Sequence, residues 1–264
     1  MLMADLGDIR VHYDDRGPKD APVVAFANSL GTDFRLWDAV LPHLPDGLRI
    51  IRYDMRGHGL TTAPEPPYFM GDLVGDAARL LDHLGVRECV FVGLSIGGIV
   101  AQGLAAERLD LVRAIVISNS AARIGNRAMW DERIAAARAG GVEALADGTM
   151  ERWFAAATRK DRPGLVEAFR NMLTRTPLDG YIGCMEAIAE TDLYESTARL
   201  KLPTLGIAAS EDGSTPPDMV RETTDLVAGS KFHLIRGAGH LPCVEKPADY
   251  AAALTRFLQE IGHI

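Results

Sequence analysis

Val90-Phe91-Val92-Gly93-Leu94-Ser95-Ile96-Gly97-Gly98-Ile99-Val100 decides the reading of this chain. An apolar, β-branched run comes first, then a serine flanked by Gly93 and Gly97, then an apolar run that continues into alanines. The pattern predicts strand, tight turn and helix, with the serine in a G-x-S-x-G turn. On such a turn the serine is pushed out of the sheet on a strained backbone. Gly93 and Gly97 suit it because a side chain at either position would collide with neighbouring backbone. A plain glycine-rich turn with an incidental serine has the same five residues. The flanks therefore decide, through whether an acid and a histidine follow, each after its own strand.

Outward from this stretch the chain alternates. Ile9 to Asp15 reads as an early antiparallel strand or hairpin, ended by Arg16-Gly17-Pro18. Val23 to Ala27 and Arg49 to Tyr53 read as buried strands, with a helix over Phe34 to Leu44 between them. Leu73, Ala77, Leu80, Leu81 and Leu84 recur at helical spacing and Gly85 is a natural stop. Val112 to Ser118 is a further buried strand. Strand and helix in alternation predict an α/β fold, a mostly parallel central sheet with helices on both faces.

From about Ala121 to Ser196 the alternation breaks. No convincing strand occurs there, and helical pieces fall near Arg127–Ala139, Val142–Thr158, Pro163–Thr174 and Leu178–Ala189. Alternation then returns with Thr204 to Ala209 (strand), Pro217 to Val227 (helix), Lys231 to Ile235 (strand) and Pro247 to Ile261 (helix). The expected organisation is a core over residues 1–120 and 197–264, interrupted by an inserted helical cap over 121–196.

Composition narrows the function classes. With 264 residues, 47% of them hydrophobic, the chain can bury one large core. A net charge of −8 argues against general nucleic-acid binding, which needs clustered Lys and Arg. Cys89, Cys184 and Cys243 are far apart and odd in number, as expected of reduced thiols rather than a disulfide framework. No C-x-x-C or H-x-x-x-H spacing points to a metal. The first residues lack the charged and apolar regions of a signal peptide, and no apolar run is long enough to span a membrane. The expected setting is cytoplasmic.

The residues for chemistry follow the strands. Ser95 is the candidate nucleophile, and a serine hydroxyl needs a base within reach. His240 follows the strand Lys231–Ile235 and precedes the last helix, so it can hang over the strand ends where Ser95 would sit. Asp212 follows Thr204–Ala209 and would orient the imidazole; its neighbour Glu211 stays open as an alternative. Asp212 also reads as a turn residue ahead of a Pro-started helix that Thr215 would cap. Oxyanion donors are expected from the backbone N–H of Ile96, at the helix N-terminus, and of Leu30, in the loop after Val23–Ala27. That loop also reads as an ordinary connection in which Asn28 caps the next helix. Asp54 and Arg56 read as scaffold near the site, and His58 as structural. In the cap, ten Arg and Lys stand against twelve Asp and Glu. Most of the basic residues between Arg152 and Arg175 are expected on a solvated face, and one or two pointing inward would favour an anionic substrate. Trp130, Trp153 and Phe154 could line an apolar pocket or simply fill the core.

The order Ser95, Asp212, His240 is that of the α/β-hydrolases, and the chain resembles that superfamily over almost its whole length. Within it, the chain is similar to the 3-oxoadipate enol-lactonases. The elbow and the Asp–His pair are common to the superfamily. The loop Asn28-Ser29-Leu30-Gly31-Thr32-Asp33, where many relatives have His-Gly, is more specific, as are the cap segments Arg138-Ala139-Gly140-Gly141 and Glu151-Arg152-Trp153-Phe154. Tyr53 to Gly59, Thr215-Pro216-Pro217 and Gly239-His240-Leu241 also match. The resemblance implies a cofactor-free enzyme of aromatic-acid breakdown that opens a small anionic lactone to 3-oxoadipate. It implies an inward cap arginine for the substrate carboxylate, with Arg133 and Arg152 as the candidates. Another ester or C–C bond hydrolase, a cofactor-free peroxidase or a non-catalytic small-ligand receptor would share the same elbow. Monomer and homo-oligomer are equally open.

Overall fold

The computed structural model describes residues 1–264. Its frame is one eight-stranded sheet: β1 (Leu2–Asp5), β2 (Arg10–Arg16), β3 (Val23–Ala27), β4 (Arg49–Tyr53), β5 (Cys89–Leu94), β6 (Val112–Ser118), β7 (Thr204–Ala209) and β8 (Lys231–Ile235), in the order β1-β2-β4-β3-β5-β6-β7-β8. β1 and β2 form an antiparallel hairpin, and β2 runs antiparallel to β4. Every other neighbour pair is parallel. The uninterrupted apolar runs lie where both faces are covered, since every residue of β3, β5 and β7 is buried. β8, at the sheet edge, is only partly buried.

Helices α1 (Met70–His83) and α2 (Ile96–Glu107) flank β5 in sequence and pack on one another. The expected helix over Phe34 to Leu44 is instead two short 3-10 turns, Phe34–Trp37 and Leu41–His43. Pro42 cannot donate into a continuous helix, and Asp33 caps the first turn through the Arg35 N–H at 3.0 Å. Asn28 therefore caps nothing. Its amide donates to the Tyr53 carbonyl at 2.7 Å and accepts from the Trp37 indole at 2.9 Å, which ties the loop after β3 to the end of β4.

Between β6 and β7 lie α3 (Arg127–Gly140), α4 (Glu143–Trp153), α5 (Ala156–Asp161), α6 (Pro163–Thr174), α7 (Leu178–Ala189) and α8 (Tyr194–Ala198). β6 and β7 are neighbours in the sheet, so this excursion leaves and returns at adjacent strand ends. The piece expected over Val142–Thr158 breaks at Phe154, whose backbone is extended. The last helix runs past Ser196 to Ala198 and packs on α2. One continuous cluster of 77 buried residues includes strand residues together with Trp130, Ile134, Phe169 and Leu173 of the excursion, so the helices share the core of the sheet. After β7 come α9 (Pro217–Asp225), α10 (Pro242–Glu245) and α11 (Pro247–Glu260). No helix is long and apolar enough to cross a membrane.

Candidate active site

Ser95 is the joint between β5 and α2, at φ 58° and ψ −120°. A non-glycine residue in that region carries about 1–3 kcal/mol of strain, so the surroundings must hold it. They do so from both sides. The Ser95 N–H donates to the Ser118 carbonyl at 2.9 Å, and the Ser95 carbonyl accepts from the Ser120 hydroxyl at 2.6 Å. A Cβ at Gly93 would overlap the Gly97 carbonyl, and one at Gly97 would lie 2.5 Å from the Ala27 carbonyl oxygen. Both glycines are therefore dictated by close backbone approach. The Ser95 hydroxyl is partly exposed and hydrogen-bonds no protein group, His240 included.

Asp212 and His240 meet at the ends of β7 and β8. The ring Nδ1 of His240 lies 3.0 and 2.9 Å from the two Asp212 carboxylate oxygens, and both residues are buried. A carboxylate only accepts, so Nδ1 carries a hydrogen, and in the neutral form of the ring Nε2 keeps the lone pair. The Ser214 and Thr215 N–H groups, the Thr215 hydroxyl and the Asn119 amide also donate to Asp212, at 2.7 to 3.0 Å. Burial alone would raise this carboxyl. The charge of His240 and the bonds from His240, Asn119 and Thr215 outweigh it and hold Asp212 below the usual carboxylate range. Glu211 is exposed and bonds neither. Thr215 is not the cap of α9, which starts after Pro216; it is spent on Asp212. Asn119, at φ 44°, directly follows Ser118, whose carbonyl accepts from Ser95, and its amide donates to the acid.

The loop after β3 closes a β-turn in which the Thr32 N–H donates to the Ser29 carbonyl at 3.1 Å. Leu30 and Gly31 are its central residues, and φ +78° at Gly31 marks type II. The Leu30 N–H donates to no protein acceptor although the residue is buried. The Ile96 N–H, at the first position of α2, has no intrahelical acceptor. The Gly97 N–H donates to the Asn28 carbonyl at 3.1 Å and so locks the two segments together. The Leu30 and Ile96 N–H groups therefore lie on two segments joined to each other beside Ser95, and they are the candidate donors to an oxyanion.

The cap covers this turn. A Cβ at Gly31 would overlap Leu173 and lie 3.1 Å from the Tyr181 ring and 3.6 Å from Trp153. Trp153 and Trp130 are buried, and the Trp130 indole donates to the Ile124 carbonyl at 2.7 Å. Arg133 stacks over Trp130 at 5.1 Å. Arg152 donates to the Thr149 hydroxyl at 3.1 Å, and its backbone carbonyl accepts from the Gly213 N–H of the Asp212 loop at 3.3 Å. Both arginines are half-buried and neither pairs with a carboxylate. Burial, and then the like charge of Arg133, weaken the hold of Arg152 on its proton. Burial pushes the Tyr181 hydroxyl up to about 12 against the pull of the same two arginines, so the three groups share one neighbourhood. Arg170, by contrast, pairs with Glu143 and Asp147 on the outside.

Sequence reasoning missed Asn119, Tyr181 and Glu245, the last of which accepts from the Ala155 N–H and from the Gly239 N–H next to His240. Only Asn119 had a local signal, as a turn-prone residue directly after a strand. A family model for the alpha/beta hydrolase fold matches residues 22–247. The chain is 32% identical over 255 residues to 3-oxoadipate enol-lactonase 2 of Acinetobacter baylyi, covering 97% of this chain and 95% of that one. It superposes on the crystal structure of the enol-lactonase from Burkholderia xenovorans with a TM-score of 0.94, at 33% identity, over 98% of this chain and 100% of that one. A hydrolase from Pseudomonas aeruginosa superposes with a TM-score of 0.93 at 37% identity, over 97% of both chains.

Proposed function

The chain belongs to the alpha/beta hydrolase fold family, and on that footing we propose that it is a serine hydrolase that opens the lactone ester of 3-oxoadipate enol-lactone, in aromatic-acid breakdown. Ser95 attacks the lactone carbonyl while His240 Nε2 takes its proton, and Asp212 steadies the imidazolium. The Leu30 and Ile96 N–H groups receive the oxyanion. Collapse of the tetrahedral intermediate breaks the ring C–O bond and expels an enolate, which His240 protonates and which settles to the ketone. Water, deprotonated by His240, then attacks the acyl-enzyme and releases 3-oxoadipate and free Ser95.

One observation carries the substrate class: Arg133 and Arg152, half-buried beside Tyr181, have no carboxylate of the protein to pair with. A desolvated, unpaired guanidinium is unfavourable unless a ligand supplies the anion. That the relatives from Acinetobacter baylyi and Burkholderia xenovorans are enol-lactonases supports the same reading.

The experiment is a panel: loss of enol-lactone absorbance, hydrolysis of a p-nitrophenyl ester, cleavage of a ring-fission dienoate and halide-dependent peroxidation, each with wild type and Ser95→Ala. Rapid enol-lactone turnover that falls at least about 10³-fold in Ser95→Ala is the expected result. Turnover only of the ester or the dienoate removes the lactonase assignment. Tight binding of a small ligand with trace hydrolysis points to a receptor.

A further inference from the structure

His58 is fully buried, and the triad does not use it. Its ring Nε2 lies 2.8 Å from the Gly31 backbone nitrogen, and its Nδ1 lies 3.1 Å from the Arg56 carbonyl oxygen. An N–H can only donate and a carbonyl can only accept. Nε2 therefore holds a lone pair and Nδ1 the hydrogen, so partners at both ends fix one tautomer of the neutral ring. Burial agrees, driving the His58 pKa down to about 4. We infer that His58 is a positioning residue of the oxyanion hole: its neutral imidazole selects the orientation of the Leu30–Gly31 peptide in the turn that presents the Leu30 N–H. This rests on the reading of Leu30 as an oxyanion donor.

The ring chooses between two turns and, by anchoring Gly31, holds in place the adjoining Leu30, whose own N–H lies on the preceding peptide. Types I and II differ by a flip of the central peptide, here Leu30–Gly31, and glycine at the third position gives little resistance to either. In the observed type II turn the Gly31 N–H points at the His58 lone pair. In the flipped turn the Leu30 carbonyl would point there instead, lone pair against lone pair, and the buried Gly31 N–H would lose its acceptor. The cap closes the opposite side through Leu173, Tyr181 and Trp153. The groups packed around the ring leave this preference in place. The Cys184 thiol lies 4.0 Å from Nδ1 and itself donates to the Arg56 carbonyl, and the Arg56 guanidinium is engaged by Asp76 and Asp8.

His58→Leu removes the acceptor, and His58→Gln replaces it with an amide whose oxygen faces Gly31 and whose N–H faces Arg56. Kinetics on p-nitrophenyl acetate report the hole without requiring any particular lactone. The expected result is a fall in kcat of about 10- to 100-fold for His58→Leu with KM within about twofold, smaller than the loss of an oxyanion donor itself. His58→Gln should keep kcat within about threefold of wild type. Affinity for a trifluoromethyl ketone, which forms a tetrahedral adduct on Ser95, should fall with kcat, while affinity for acetate should hold. If His58→Leu does not fold, His58→Asn takes its place: one methylene shorter than Gln, it should lose tenfold or more where Gln does not. A wild-type kcat in the Leu variant, equal losses in Gln and Asn, or a loss confined to KM overturns the inference. Ser95→Ala run alongside separates the cases: if it abolishes turnover while the His58 variants behave as wild type, only the role of His58 fails.

Discussion

Arg152 is a charge held where the protein itself compensates it poorly. It is half-buried, donates only to the neutral Thr149 hydroxyl, and feels the like charge of Arg133. In the unliganded protein this cation is poorly compensated, whereas a carboxylate in the pocket would supply a charge-assisted bond worth about 1.5–3 kcal/mol. Arg152→Met keeps the stem and removes the charge. KM for the enol-lactone should rise roughly 10- to 100-fold, and turnover of p-nitrophenyl acetate should be unchanged. The melting temperature should stay level or rise, because an unpaired charge has gone. A lower melting temperature with unaltered KM would make Arg152 a structural residue. Ser95 sits at the same scale, its positive φ legible in advance from the glycines that bracket it. The arginines were legible only as candidates, because a side chain's direction in a cap depends on how its helix lies on the sheet.

Among the elements, the join between α4 and α5 fixes the cap to the chemistry. The carbonyls of Arg152 and Trp153 accept from the Gly213 and Leu241 N–H groups, on the loops that carry Asp212 and His240. Glu245 of α10 completes the seam, its two oxygens accepting from the Ala155 N–H at 3.0 Å and the Gly239 N–H at 2.6 Å. A Cβ at Gly239 would lie 2.5 Å from the Trp153 carbonyl oxygen, so the two segments touch backbone to backbone. Glu245→Gln has one accepting oxygen and turns an NH₂ toward the other N–H, leaving a buried donor without a partner. It should lower the unfolding free energy in urea by about 1–3 kcal/mol and lower kcat/KM for the anionic lactone more than for p-nitrophenyl acetate. An unshifted urea midpoint would mean that the seam holds without it. This seam also explains what the sequence concealed. Apolar periodicity runs through Val142 to Thr158 without a stop, and the break at Phe154 is imposed by partners about 60 to 90 residues away. The parallel strands, by contrast, were legible because burial on both faces demands unbroken apolar runs. The elbow was legible because its glycines answer to contacts within a few residues and at the neighbouring strand end.

For the molecule as a whole, acid should act through histidines held neutral far apart in the fold. His58 accepts from the Gly31 N–H, His263 bonds the Val23 carbonyl at 3.0 Å, and His233 lies on the edge strand β8. Burial lowers the proton affinity of all three. For His58 the pKa falls from an ordinary 6.5 to about 4. Between those values the unfolded chain holds a proton that the folded protein does not, so this stability is full above pH 6.5 and is lost as pH falls toward 4. The buried carboxyls Asp54, Asp76 and Glu245 work the other way, since burial raises them and acid then favours the folded state. The two contributions overlap in a wild-type melt, so the test is a difference. At pH 5 the share of His58 comes to about 2 kcal/mol by linkage. Urea unfolding of wild type and His58→Gln at pH 7.5 and pH 5.0 should show the variant losing about 2 kcal/mol less over that interval, whatever their relative stability at pH 7.5. Equal losses would mean that His58 keeps an ordinary proton affinity in the folded protein, and the lowering of its pKa by burial would have to be abandoned.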